Sequence, residues 1–349
     1  MTEKAKNEVV DLNAPKPPRI IAVDVGTMNI VLAEKKGKGA EISSIRNMYL
    51  PLDKSQVTMA ELSNIDYVES DDSVFIIGND AFNFSNIFEK PVKRPMAKGL
   101  ISPNEIDSLD ILELILEKLC GKTTDGKCIY CVPAPSVDSV NNITYHEGVF
   151  HRIFTDLGYQ AHSFNEAMAI IYSHCQDEQF TGLSFSFGAG MVNVCLAYKS
   201  IPVVTFSVAR SGDWIDECVA AAMGTVPNRI TAIKEKNTDL QNFMVGNKKE
   251  RRIREAIVYY YREMIRYSLD QIKNKLTNAT GNLDLPESVS IIVSGGTSMA
   301  TGFLPLFKEV LFEYQEDFGF DVKNVRHADD PMTAVAEGLL VKALSEFGS

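Results

Sequence analysis

The sequence contains no apolar run near the ~18 residues that a membrane-spanning helix requires, and its first residues, Met1-Thr2-Glu3-Lys4-Ala5-Lys6, lack the apolar core of a secretory leader. Cysteine is scarce. Six in 349 residues are too few for a disulfide-built scaffold, which makes a reducing cytoplasm the expected location. Positive charge is in deficit, with 35 Lys and Arg against 46 Asp and Glu and a net charge of −11. That balance argues against nucleic acid or an anionic membrane surface as the main partner, since both reward basic footprints. The five histidines, His146, His151, His162, His174 and His327, show no ligand spacing, so no histidine-built metal centre is expected. What remains is ordinary for a globular protein: 45% hydrophobic and 23% charged residues. At ~100–200 residues per domain, the length allows two or three domains.

Residues 1–18 are polar and carry Pro15, Pro17 and Pro18, so they read as a disordered tail. Order should begin at Ile20. Ile20-Ile21-Ala22-Val23 is a buried strand halted by Asp24 and Gly26, and Asn29–Ala33 is a second strand, together forming a hairpin around Gly26-Thr27. Helical spacing appears over 105–119 and 143–157, with a strand at Lys127–Val132 between them. A long amphipathic helix is expected over Lys249–Leu276, with Ile253, Ile257, Tyr260, Met264 and Ile272 on its buried stripe. Val289–Val293 is a further buried strand, ending in Ser294-Gly295-Gly296-Thr297. Strands alternating with helices indicate an α/β fold.

The chain also echoes itself. Val23-Asp24-Val25-Gly26-Thr27 matches Phe185-Ser186-Phe187-Gly188-Ala189 at an offset of 162 residues. Asn29-Ile30-Val31-Leu32-Ala33 then matches Asn193-Val194-Cys195-Leu196-Ala197 at an offset of 164, which makes the second turn two residues longer. Both copies read strand, glycine turn, strand, so two related halves are expected. Glycine turns let backbone N–H groups approach a ligand without Cβ interference and form anion-binding concavities. Two of them, one per half, would grip a polyphosphate from both sides of a cleft. Asp24, at the end of the first strand, is placed to hold a hydrated Mg²⁺. Two ordinary hairpins are the plainer alternative.

At this point the residues resemble the bacterial actin-like ATPases of the MreB and MamK kind. Six segments carry the likeness, in order along the chain: Asp24–Asn29, Arg94–Ile101, Asn165–Ala169, Ser211–Glu217, Ser294–Ser298 and Ala328–Gly338. The resemblance implies an actin-like fold of two duplicated α/β lobes, each with a smaller subdomain, around a nucleotide cleft. The first lobe would comprise 19–46, 91–167 and 333–349, with 47–90 as its small subdomain. The second would comprise 168–206 and 275–332, with 207–274 as its small subdomain. It further implies ATP and Mg²⁺ as cofactors and head-to-tail self-assembly, a heterologous contact that extends without limit when the rotation does not close. A cargo or adaptor protein is a possible further partner. Carried over residue by residue, Gly26, Thr27, Met28 and Asn29 line one phosphate loop, with Asp24 beside the metal. Gly188, Ala189 and Gly190 line the other. Gly212 and Asp213 approach the nucleotide from the second lobe, Gly295, Gly296 and Thr297 back the adenosine, and Lys234 lies near the base. Glu166 matches the carboxylate that positions the attacking water, a role suited to a reaction that is mostly positioning and charge stabilisation.

The second phosphate loop departs from the family pattern: Ser186 replaces an aspartate and Met191 a threonine. This implies retained ATP binding with slow hydrolysis, a weak ATPase governing filament turnover. The tail and the absence of an apolar insertion loop argue against direct membrane attachment. A non-polymerising, nucleotide-sensing scaffold of the same superfamily is the alternative function. Several features have plainer readings. Cys128 and Cys131 fit two structural thiols on opposite faces of a strand. Lys248–Arg254 fits a solvated basic face, Trp214 a core anchor, and Glu166 a residue placed to favour a helix dipole.

Overall fold

The computed structural model describes residues 18–37, 39–52, 65–70, 73–85, 91–102, 107–139, 143–279 and 287–348. The expected tail lies outside these, apart from Pro18.

The first half runs β1 (Ile20–Val25), β2 (Asn29–Lys36), β3 (Gly39–Arg46), β4 (Tyr49–Leu52), β5 (Tyr67–Ser70), β6 (Ser73–Ile77), α1 (Gly78–Ser85), β7 (Met96–Ala97), β8 (Leu100–Ile101), α2 (Ser108–Cys120), β9 (Gly126–Val132), α3 (Ile143–Asp156), β10 (Tyr159–Asn165) and α4 (Glu166–His174). The second runs β11 (Gly182–Phe187), β12 (Val192–Tyr198), β13 (Ile201–Val208), α5 (Gly212–Met223), α6 (Pro227–Asn237), α7 (Lys248–Ala279), β14 (Ser288–Ser294), α8 (Phe303–Phe312), β15 (Asp321–His327) and α9 (Ala334–Phe347).

The duplication is written in the sheets. One has the order β10-β9-β1-β2-β3, the other β15-β14-β11-β12-β13. In each, the first hairpin is antiparallel and the strand on its far side is parallel. The ladders correct the expected turn length. Asp24 faces Val31, and Ser186 faces Asn193. Gly26 N–H donates to Asn29 O at 3.0 Å, as Gly188 N–H does to Met191 O at 2.9 Å. The two turns therefore have equal length, and Asn193 corresponds to Val31 rather than to Asn29. A slip of two residues preserves the in–out alternation of a strand, so the sequence pattern does not penalise it.

Helices α4 and α9 pack on each other between the sheets, α9 against β1 and β9, α4 against β11 and β12. Each lobe has its own apolar cluster, and a third, smaller one fills the β4–β6 sheet. The long helix is present, but Tyr261, not Tyr260, belongs to its buried stripe. Tyr260 instead meets Trp214 edge-on at 5.4 Å at the margin of the second core. Trp214 also lies under the Arg210 guanidinium. No helix among the described residues is long and apolar enough to cross a membrane.

One buried group gives the fold a pH dependence. His146 of α3 stands edge-on to Phe150, and its Nδ1 has no partner among the described residues. Burial lowers its pKa from 6.5 to about 4. The unfolded chain therefore takes up this proton at a higher pH than the folded one. The term is absent above pH 6.5 and costs stability as the pH falls towards 4, by up to roughly 3 kcal/mol. His146→Phe should flatten the acid limb of the stability curve. Denaturant midpoints of both proteins between pH 7.5 and 4.5 check this, and parallel slopes would contradict it.

Candidate functional site

The two glycine turns face one another across a cleft of about 630 Å³. Their geometry explains their composition. A Cβ on Gly26 would lie 2.6 Å from Asn29 O, and one on Gly188 would lie 2.9 Å from Met191 O. The turns are anchored through their carbonyls. Asn47 donates from its side chain to Gly26 O (2.9 Å) and from its backbone to Met28 O (2.8 Å). Gly188 O accepts from Gly212 N–H and Thr297 Oγ, while Ala189 O accepts from Asp213 N–H and Ser211 Oγ. The start of α5 is thereby docked on the second turn.

The hairpin of β7 and β8 closes the cleft from the side. Its tip, Lys98-Gly99, has φ of 50° and 74°. Gly99 N–H donates to Thr27 Oγ at 3.1 Å. Gly190 packs so tightly here that a Cβ would lie 2.4 Å from both Gly99 N and Thr27 Oγ. Two ion pairs also span the lobes, Arg94–Asp213 at 3.0 Å and Arg46–Glu235 at 3.3 Å.

Two carboxylates form the floor. Asp24 Oδ1 accepts from Cys131 Sγ at 3.1 Å, and that sulfur accepts from Val25 N–H. Cys131 belongs to the first core, as Cys128 does, and also lines the cleft beside Asp24. Glu166 opens α4, capped by Asn165, whose side chain accepts from Met168 N–H. Ser186 Oγ donates to Glu166 Oε1 (2.7 Å) and Asn193 Nδ2 to Oε2 (2.8 Å). Burial raises both carboxyl pKa values, and the Asp24 charge lifts Glu166 further. Among the described residues no cluster of three or more His, Cys, Asp or Glu is arranged to hold a metal by itself. The donor set instead suits a cation that keeps waters and takes one or two carboxylates beside ligand phosphates.

At the other end, Lys234 Nζ bonds Asp216 Oδ2 and Gly212 O, both at 2.8 Å, in a buried pair that also includes Thr231. Desolvation raises the Asp216 pKa despite the lysine. Its Oδ1, also buried, has no partner among the described residues. Gly295, with φ 90°, touches the Phe187 backbone and leads into the turn Gly296–Met299.

The expected residues Asp24, Gly26, Thr27, Met28, Asn29, Glu166, Gly188, Ala189, Gly190, Asp213, Lys234, Gly295, Gly296 and Thr297 all line this one cleft. Gly212 stands directly behind, where a Cβ would meet Thr297 Oγ at 2.4 Å. Asp213 reaches the wall with its carboxylate held by Arg94. Cys131, Asn193 and Asp216 also line the cleft, beyond the residues expected from the sequence, and Asn47 braces the first turn from behind. The polar Asn193 in an apolar strand, opposite Ser186, was the available signal.

A comparison with curated proteins gives no match. Solved structures resemble the chain over nearly its whole length. The MamK double helical filament is 16% identical with a TM-score of 0.66, covering 93% of this chain and 98% of that one. MreB5 of Spiroplasma citri bound to ADP is 14% identical with a TM-score of 0.63, covering 95% and 97%. The ethanolamine utilization protein EutJ from Carboxydothermus hydrogenoformans is 16% identical with a TM-score of 0.52, covering 94% and 91%. These likenesses establish an actin-like fold. The Volactin family model matches residues 20–343, from β1 into the final helix, and the chain belongs to that family.

Proposed function

We propose that the chain binds ATP with Mg²⁺ in this cleft and assembles with copies of itself into cytoplasmic filaments, with slow hydrolysis governing their turnover. The observation that carries the reading is the meeting of two equivalent glycine turns over two half-buried carboxylates. Such a pair of turns offers amides to phosphates from both lobes. A cleft of this size suits a mononucleotide, and the unpartnered Asp216 Oδ1 offers an acceptor to a ligand hydroxyl or amine. Thr27, Met28, Asn29 and Gly188–Gly190 would hold the phosphates, Gly212, Asp213, Lys234 and Gly295–Thr297 the nucleoside. Asp24 would hold Mg²⁺ through water. Bound there, the cation would neutralise phosphate charge. Glu166 would orient the attacking water. Ser186 donates its proton to Glu166, which leaves the floor with fewer groups to organise a metal-bound water and favours slow turnover. Self-assembly draws support from the filament formed by MamK, which shares this fold. The subdomain division at 47–90 and 207–274, and a cargo or adaptor partner, belong to the same proposal.

Sedimentation and negative-stain microscopy with and without Mg-ATP test it. Nucleotide-dependent filaments are expected, and because the subunits carry the same net charge of −11, their assembly should be sensitive to salt, which screens that repulsion. A monomer under every condition would favour the non-polymerising scaffold. Gly190→Ala, whose new Cβ would separate the second turn from Thr27 and Gly99, should weaken binding of a fluorescent ATP analogue about tenfold or more, the equivalent of ~1.4 kcal/mol of overpacking. Unchanged affinity would mean that the turns need not touch when ligand is bound.

A further inference from the structure

Asn193 is only 1% exposed, on the second strand of the second sheet. Its Oδ1 accepts from Ala134 N–H at 3.1 Å and its Nδ2 donates to Glu166 Oε2 at 2.8 Å. The backbone donor fixes the orientation of the carboxamide: a flipped amide would set N–H against N–H at Ala134. Glu166 therefore meets a donor at Oε2 and the Ser186 hydroxyl at Oε1.

Ala134 lies in the segment that leaves β9 of the first sheet and joins the edge of the second. Val137 N–H donates to Ser207 O, and Ser207 N–H to Pro135 O, both at 3.0 Å. Ser207 Oγ donates to Ala134 O at 2.8 Å. Asn193 and Ser207 are directly opposed on β12 and β13. Two cross-strand neighbours of the second sheet thus grip the N–H and the C=O of one residue coming from the first. One of them also holds Glu166.

We propose that Asn193 is a positioning residue: it ties the Glu166 carboxylate to the backbone of Ala134, so that Glu166 keeps its place on the cleft floor only while the segment 133–139 is docked on β13. The docking of the lobes is thereby converted into the orientation of one carboxylate. This rests on the reading of Glu166 as the group that orients water.

The test uses the full chain with Asn193→Ala and, as a second variant that keeps a polar group, Asn193→Ser, each with and without Glu166→Gln. Phosphate release with Mg-ATP, the Kd of a non-hydrolysable ATP analogue, and amide hydrogen exchange over 133–139 are measured. Either Asn193 variant should lower kcat ~10–100-fold, as loss of a ligand-orienting partner does, with Kd within about threefold and faster exchange of the segment. In the Glu166→Gln background, the Asn193 change should cost no further kcat. Equal losses in kcat and affinity, or fully multiplicative losses in the double variant, would overturn the proposal. If the unaltered chain releases no phosphate, the hydrolytic reading fails, and exchange still decides the link. Glu166→Ala should then speed exchange over 133–139 in the presence of Asn193 and leave it unchanged in Asn193→Ala. Unaltered protection in Glu166→Ala overturns the coupling whatever the turnover.

Discussion

Glu166→Gln is expected to slow phosphate release from Mg-ATP by about 10²–10³-fold, within the range for loss of a positioned acid–base group, while nucleotide affinity changes less than about threefold. The substitution is nearly isosteric, and the surroundings accept it. The glutamine oxygen can take the bond from Asn193, and its amide can donate to Ser186, whose hydroxyl turns from donor to acceptor. Geometry is preserved and the carboxylate chemistry lost, so kcat should fall with little change in binding. A second readout follows from linkage. Burial and the Asp24 charge raise the Glu166 pKa in the folded state, so the folded chain holds this proton where the unfolded chain has released it. Its contribution to stability is fully present at acid pH and lost as the pH rises through the ordinary carboxylate range to the raised value. The glutamine variant lacks this loss and should be the more stable protein at and above neutral pH. Filaments of the variant should also outlast those of the unaltered chain after ATP addition, as seen in a sedimentation time course. Turnover equal to that of the unaltered chain would remove Glu166 from the chemistry.

The reach of the sequence differs between features of this site. The two turns were legible because each packs strand, glycine and strand into a few residues, where local sterics dictate the residue types. Their exact equivalence in length was not, because a two-residue slip in β12 leaves every side chain on its original face. The place of Cys131 beside Asp24 was hidden for a different reason. Alternation along β9 assigns it a face, and only the parallel pairing of β1 with β9 says that this face meets the end of β1. The lobe-spanning pairs Arg94–Asp213 and Arg46–Glu235 join residues 119 and 189 positions apart. No periodicity reports such contacts; they follow from how two separately formed cores are set against each other. The same holds for Asn193, whose two partners, Ala134 and Glu166, lie 59 and 27 positions away on segments of the first half. The floor chemistry was thus legible as residue types, while the bonds that aim those residues belong to tertiary structure.

Gly338→Ala is expected to be among the most destabilising single substitutions in the chain, although alanine is the better helix former by about 1 kcal/mol. Gly338 lies in the middle of α9, buried where that helix crosses α4. A Cβ there would fall 1.8 Å from Ala169 O and 2.5 Å from the same carbonyl carbon. The obstacle is backbone, so no rotamer change relieves it, and the helices must separate. Overpacking costs 1–3 kcal/mol where side chains can yield; here roughly 3 kcal/mol or more is expected. The consequence reaches the site, because Ala169 lies three residues after Glu166 on α4. Displacing α4 moves Glu166 relative to Ser186 and Asn193, which are fixed to the second sheet. The variant should therefore unfold at a lower denaturant concentration with an unchanged slope, and the folded fraction should release phosphate more slowly even when saturated with ATP. Gly338→Ser should behave alike, since its Cβ meets the same carbonyl. Stability equal to that of the unaltered chain in both variants would show that α4 and α9 can part without loss, and that the close crossing of these two helices does not set the position of Glu166.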